Sequence, residues 1–357
     1  MRNVYGTAFL TLAAALAAGC AGDPAAAVVA PQVALLADGE QSQMLVWDDY
    51  VMTDLGDLGG AHNVAVDIND AGQIIGVSTI SRDANAISRA WVHDGTTLTP
   101  LPLWNATAGS SARALSGSGD VLGSNGTQVL WTGGTVQNLR TTYPTLVAAR
   151  DLNDAGTIVG ACRVPRSIYN FACVLNAGTT TLLDTTGYRY SSATAINHSG
   201  VVVGSRASTG RTQFGAFVWT GGSPLTLPPL GQSTHAEAVA LNDAGTVVGR
   251  STLYSNWRAT LWRNGVAVDL GAVHGNASWA LGISNGESVV GLTIPIINGT
   301  PGNYRPFLWR NGRMRLLPTG SKRIEQGEAR AVNGRGEIVG FVIYPNKETR
   351  AVVWRKP

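Results

Sequence analysis

The chain is 357 residues long, 44% hydrophobic and only 14% charged, with 44 glycines, 10 tryptophans and a net charge of +3. So few charged residues exclude a helical bundle or coiled coil, the apolar content excludes a disordered chain, and the small net charge excludes a nucleic-acid binder that neutralises many phosphates. No apolar run is long enough to span a bilayer.

The first element reads as a secretory signal, residues 1–19. Arg2 supplies a positive charge, and residues 4–18 form an apolar stretch dominated by Ala and Leu. It ends in Ala17-Ala18-Gly19-Cys20, which resembles the lipobox of bacterial lipoproteins, although Ala17 stands where Leu is commoner. The resemblance implies cleavage before Cys20, lipidation of its thiol and new amino group, and a membrane anchor. A plain cleaved signal with an incidental cysteine is the alternative. Ala21 follows the cysteine, not the Asp of the inner-membrane retention signal, which favours an outer-membrane or surface address. Residues 20–43, rich in Ala, Pro and Val without a period, read as a tether, so the folded domain spans 44–357.

From residue 44 the chain repeats itself. A turn recurs as Ile68-Asn69-Asp70-Ala71-Gly72, Leu152-Asn153-Asp154-Ala155-Gly156, Ile196-Asn197-His198-Ser199-Gly200, Leu241-Asn242-Asp243-Ala244-Gly245 and Val332-Asn333-Gly334-Arg335-Gly336. Degenerate copies at Leu115-Ser116-Gly117-Ser118-Gly119 and Ile283-Ser284-Asn285-Gly286 bring the number to seven. A β-branched run and a glycine follow, as in Ile74-Ile75-Gly76 and Val247-Val248-Gly249. Some twenty residues on comes a strand ending in a tryptophan slot, filled in turn by Trp47, His93, Trp131, Leu175, Trp219, Trp262, Trp309 and Trp354, a mean spacing of about 44. Asn-Gly or Gly-Gly hairpins after the slot open a further strand, because both central positions of such turns need φ > 0. Four short strands in 40–50 residues make a β-propeller blade, so the sequence predicts an all-β, seven-bladed propeller. The chain leaves after a third strand at Trp354, and the strand at residues 51–55 can complete the last blade and hide its edges. The Met44–Trp47 strand is then surplus.

The stretch Asp54-Leu55-Gly56-Asp57-Leu58-Gly59-Gly60, the Asn turns and the x-Ala-Phe-Leu-Trp strands resemble the HAF family of extracellular repeats over about 310 residues. The signature departs at its histidine, which is Arg89, Arg258, Arg305 or Arg350 here. The resemblance implies an exported repeat protein and is silent on chemistry.

An exported chain meets an oxidising compartment, so Cys162 and Cys173, eleven residues apart, are expected to form a disulfide between neighbouring strands. No metal-like ligand spacing and no cofactor motif occurs. Gly282-Ile283-Ser284-Asn285-Gly286 fits the nucleophile-elbow pattern, but Ser284 falls on a repeat turn followed by strand, so it reads as a hairpin. The Asp-x-Asn-Asp-x-Gly runs have too few acidic ligands for calcium, and side chains bonding their own backbone explain them better. His62 and His235 each precede their turn Asn by seven residues, and His235 with Glu237 is the nearest approach to an acid–base pair. The variable loops between second and third strands all leave one side of a propeller. They carry Arg163, Arg166, Tyr169, Tyr254, Trp257, Tyr304 and Tyr344, residue types enriched in binding hot spots. Arginine outnumbers lysine 23 to 3 along the whole chain, so an arginine in a loop is by itself uninformative. The expected function is a membrane-anchored binding or scaffolding module for an envelope protein or glycan. The alternative is a hydrolase or lyase using His235, Glu237 and His62.

Overall fold

A computed structural model describes residues 49–357, except 84, 165, 184–186, 209–213, 255, 298–299 and 321–322. Cys20, the signal and tether segments and the Met44–Trp47 strand lie outside the described residues. Seven antiparallel sheets succeed one another along the chain, at residues 63–100 (blade I), 110–138 (II), 146–182 (III), 188–227 (IV), 236–269 (V), 275–316 (VI) and 326–355 (VII). The first strands, Asn63–Ile68, Ser110–Leu115, Leu146–Leu152, Tyr188–Ile196, Ala236–Leu241, Gly275–Ile283 and Gln326–Val332, each touch the first strands of both neighbouring blades and so ring a central channel. Val51–Asp54 supplies the fourth strand of blade VII, with Val51 opposite Arg355 and Asp54 opposite Val352. The ring is a seven-bladed β-propeller closed by its own N-terminal strand.

The repeat is explained by how the first two strands of a blade meet. Every first strand skips register three residues before its turn Asn or Ser, leaving Val66, Arg113, Arg150, Thr194, Val239, Leu281 and Arg330 as bulged residues. Nearby carbonyls of the same strand press against the glycine of the second strand. A Cβ on Gly76, Gly123, Gly160, Gly204, Gly249, Gly291 or Gly340 would stand 1.9–2.3 Å from such an oxygen. Glycine is required there by close approach, with no left-handed backbone involved.

Seven hydrophobic clusters occupy the seven boundaries between blades. The tryptophan slot is the wedge. Trp262 packs against Ala195, Val203 and Leu227 of blade IV, Trp354 against Val290 and Leu308 of blade VI, and Trp131 against Ile75 and Ala90 of blade I. Each of these three indoles also donates to the carbonyl of a proline in the linker between its blades: Trp262 to Pro228 (2.6 Å), Trp354 to Pro318 (2.7 Å) and Trp131 to Pro102 (2.7 Å). A buried indole so placed contributes its apolar area without stranding its N–H. In blade III the slot holds Leu175, and its cluster includes Cys162 and Cys173. These form the expected disulfide between the second and third strands, with Cα atoms 5.8 Å apart.

Candidate functional site

The antiparallel order gives the ring two unlike rims. One carries the turns between first and second strands. Each turn Asn or Ser accepts from the N–H four residues on, for example Gln73 to Asn69 (3.0 Å), Val201 to Asn197 (2.9 Å) and Ser288 to Ser284 (3.2 Å). Ser284 is thus a turn cap, as its place in the repeat implies. The asparagines also donate through Nδ2 to the turn carbonyl of the next blade: Asn69 to Ser116, Asn153 to Asn197, Asn197 to Asn242, Asn242 to Ser284 and Asn333 to Asn69, at 3.1–3.3 Å. Ser116 and Ser284 keep the cap and are too short for the link, which is the physical content of the two degenerate copies. Three consecutive residues of every turn line the channel mouth, a cavity of about 260 Å³.

Two carboxyls stand behind this mouth. Asp67 accepts from the N–H of Ile68 (2.8 Å) and, across the blade boundary, of Leu115 (2.9 Å). Asp151 does the same with Leu152 (2.9 Å) and Ile196 (2.8 Å). Both residues are half-buried, with their carboxyls drawn into the protein by these bonds. Burial pushes Asp67 up to about 7, with the charge of Asp151 adding to the rise against the two N–H bonds. Burial likewise pushes Asp151 up to about 6, opposed by its own two N–H bonds. The bulged Arg113 is shifted the other way, down, first by burial and then by Arg150 and Arg330.

The other rim carries the loops between second and third strands and the linkers between blades, and here the exposed aromatic side chains collect together with several exposed arginines. In blade III, Arg163 ends the strand Ile158–Arg163 and shares a cleft of about 210 Å³ with Arg140 of the preceding linker. Arg166 is exposed at φ +64, and Ile168 is 88% exposed. Tyr169, half-buried, lies under the guanidinium of Arg189 at 5.9 Å. In blade V, Tyr254 sits at a loop tip, 91% exposed at φ +48. Trp257 packs on Arg250 (4.6 Å), which also covers Trp279 (4.7 Å) and holds Glu237 at 2.6 and 2.8 Å. Tyr304 and Tyr344 are half-buried and belong partly to the scaffold. Burial raises both hydroxyls, helped by Glu328 at Tyr304 and by Asp54 at Tyr344.

His62 and His235 do occupy equivalent places, each bridging to the third strand of the preceding blade, at Thr349 and Phe214. They belong to blades I and V and are not neighbours in the ring. His62 faces the Thr349 hydroxyl (3.3 Å), His235 faces Thr234 (2.9 Å) and the Phe214 ring (5.7 Å between centroids), and Glu237 is engaged by Arg250. Reading the loops alone passed over Tyr188, Arg189, Tyr190, Arg206 and Phe214, which belong to blade IV strands and reach the same rim. The run Gly187-Tyr188-Arg189-Tyr190 ahead of the usual small residues is the signal that marks them.

Neither a family model nor a curated protein matches the sequence. Among solved structures, a catalytically inactive virginiamycin B lyase from Staphylococcus aureus, determined with quinupristin, aligns with a TM-score of 0.52 at 10% identity, over 85% of this chain and 99% of the lyase chain. YCF48 bound to D1 peptide aligns with a TM-score of 0.51 at 10% identity, over 88% of this chain and 99% of its own. The likeness is one of fold.

Proposed function

We propose that the protein is an exported lipoprotein of the HAF repeat type, anchored through Cys20, whose propeller is a binding or scaffolding module for an envelope protein or glycan. The signal-like N-terminus, the tether-like composition and the repeat support the address. One observation carries the binding role: the turn rim spends its polar groups on bonds between its own blades, while the loop rim presents Arg163, Arg166 and Tyr254 outward. Side chains held out on a rigid scaffold are free to be spent on a partner. Fold alone does not choose the role, since propellers serve as lyases and as peptide-bound proteins. The test is cross-linking of the full-length protein in its native envelope, followed by affinity capture. A partner retained by the native chain and lost on combining Arg163→Gln, Arg166→Gln and Tyr254→Ser supports the proposal. Capture unaffected by those changes and abolished by changes on the turn rim, such as Arg263→Gln, refutes it.

A further inference from the structure

The loop rim is unevenly charged. On blades V, VII and I most of its exposed cations have carboxylate partners: Arg250 with Glu237, Lys347 with Glu325, Arg350 with Asp57 and Glu348, and Arg82 with Glu348, while Arg89 is held by the carbonyls of Ser88 and Ala108. On blades III and IV the exposed Arg163, Arg166 and Arg189 make no ion pair with any described residue. Between residues 121 and 236 the sequence holds seven arginines and three aspartates. Of these, Asp151 and Asp154 serve the opposite, turn rim, and Asp184 lies outside the described residues. The arginine-rich composition of the chain explains the arginines and leaves unexplained the absence of carboxylates from this sector among the described residues.

Aromatic rings are interleaved with these cations. The first strand of blade IV, Tyr188–Ile196, takes an extra bulge between Tyr188 and Tyr190. Arg189, the bulged residue, caps Tyr169 of blade III, and Tyr188 lines a cleft of about 290 Å³ with Arg206, Phe214 and Thr226. The guanidinium of the buried Arg206 lies 4.4 Å over the Tyr188 ring and donates to Thr226 Oγ1 (2.5 Å), so one face of the ring is braced by a fixed cation. The series Arg163, Tyr169, Arg189 and Tyr188 therefore links the blade III cleft to the blade IV cleft. Guanidinium forks suit carboxylate, sulfate or phosphate groups, and a braced aromatic ring in a cleft offers a flat apolar surface to the C–H face of a sugar ring.

Resting on the loop-rim binding role proposed above, we infer that the blade III–IV sector binds an anionic polysaccharide, its acidic groups taken by Arg163, Arg166 and Arg189 and a sugar ring by Tyr188. The test measures binding of the full-length protein to polygalacturonate, dextran sulfate, uncharged dextran and poly-L-glutamate. Polygalacturonate separates carboxylate-bearing from sulfate-bearing ligands, dextran reports sugar without charge, and poly-L-glutamate reports charge without sugar. The expected result is binding to one or both charged glycans and none to dextran. The combined Arg163→Gln, Arg166→Gln and Arg189→Gln variant should weaken it at least about tenfold, and Arg263→Gln on the turn rim should not. Tyr188→Ala should weaken glycan binding and leave any binding to poly-L-glutamate unchanged. Glycan binding that survives the triple change, or no binding to either charged glycan, overturns the inference. Poly-L-glutamate binding as tightly as the glycans, with Tyr188→Ala affecting neither, also overturns it and points to an acidic protein. An envelope partner captured through the loop rim would still leave the broader binding role standing.

Discussion

Replacing a strand glycine by alanine normally stabilises a protein by about 0.4–1 kcal/mol, because it removes conformational freedom from the unfolded chain. At Gly249 the geometry reverses the sign. A Cβ there would lie 2.0 Å from the Glu237 carbonyl oxygen, 3.0 Å from its carbon and 3.1 Å from Ala238 Cα. All three atoms are backbone, so no side-chain rotation relieves the clash. The first strand would have to recede by more than about 1 Å to reach ordinary contact, and it is held from the neighbouring blade by Thr194 Oγ1 donating to the Ala238 carbonyl (2.9 Å). Gly249→Ala should therefore cost about 3 kcal/mol, at the upper end of ordinary overpacking. Gly245→Ala is the reference: its φ is +78 with no atom within 4 Å of the added Cβ, so only the left-handed backbone is penalised, by about 1–2 kcal/mol. Urea unfolding of the two variants beside the native chain decides the matter. If Gly249→Ala unfolds at the native midpoint, or is the milder of the two, the close-approach account of the repeat glycine is wrong.

Further outcomes are expected. Asn197→Ser should lose the 3.2 Å link to blade V, keep the cap on Val201 and cost about 1 kcal/mol. Ser116→Asn should restore a missing link and raise the midpoint, and a ring of links without energetic weight would show neither change. The folded-state values of Asp67 and Asp151, raised to about 7 and about 6, mean that both bind protons more tightly when folded. Their contribution thus favours the fold in acid and is lost as pH rises from roughly 4, the unfolded carboxyl value, through those folded values. The unfolding midpoint should fall across that window and flatten when both are changed to Asn. Asp151→Asn alone should lower the Asp67 value in a carboxyl-carbon NMR titration, and an unmoved Asp67 would mean that the two charges do not interact. Changing Cys162 and Cys173 together to Ser should cost roughly 2–3 kcal/mol for so short a closed loop, read as a lower thermal midpoint that reductant no longer shifts.

Much of the fold was legible in the chain because a propeller blade is a local object. Its four strands lie within one repeat, its hairpins need glycine or asparagine at fixed places, and its inter-blade wedge recurs as a tryptophan. The seven Asn or Ser turns, the strand at residues 51–55 that closes the ring and the disulfide could all be read in one dimension. The repeat glycine was visible as a pattern, but its cause was not, since the carbonyl it accommodates belongs to the preceding strand. The loop rim was legible only in part. Arg163, Arg166 and Tyr169 stood out as loop residues, whereas Tyr188, Arg189 and Arg206 read as ordinary strand.

Blade number and strand order were already set by the amino-acid pattern, because periodic burial and turn chemistry act between residues close in the chain, and the closure of the ring followed from a last repeat one strand short. Which polar groups are spent and which are left over emerged with the folded ring. The asparagine ring, the cross-blade bonds of Asp67 and Asp151 and the ion pairs Arg350–Asp57 and Arg82–Glu348 join residues about 40 or more positions apart, and Arg250–Glu237 joins two strands of one blade. Hydrogen bonding and charge pairing depend on distances of a few ångströms, and those distances exist only once the blades have packed around the channel.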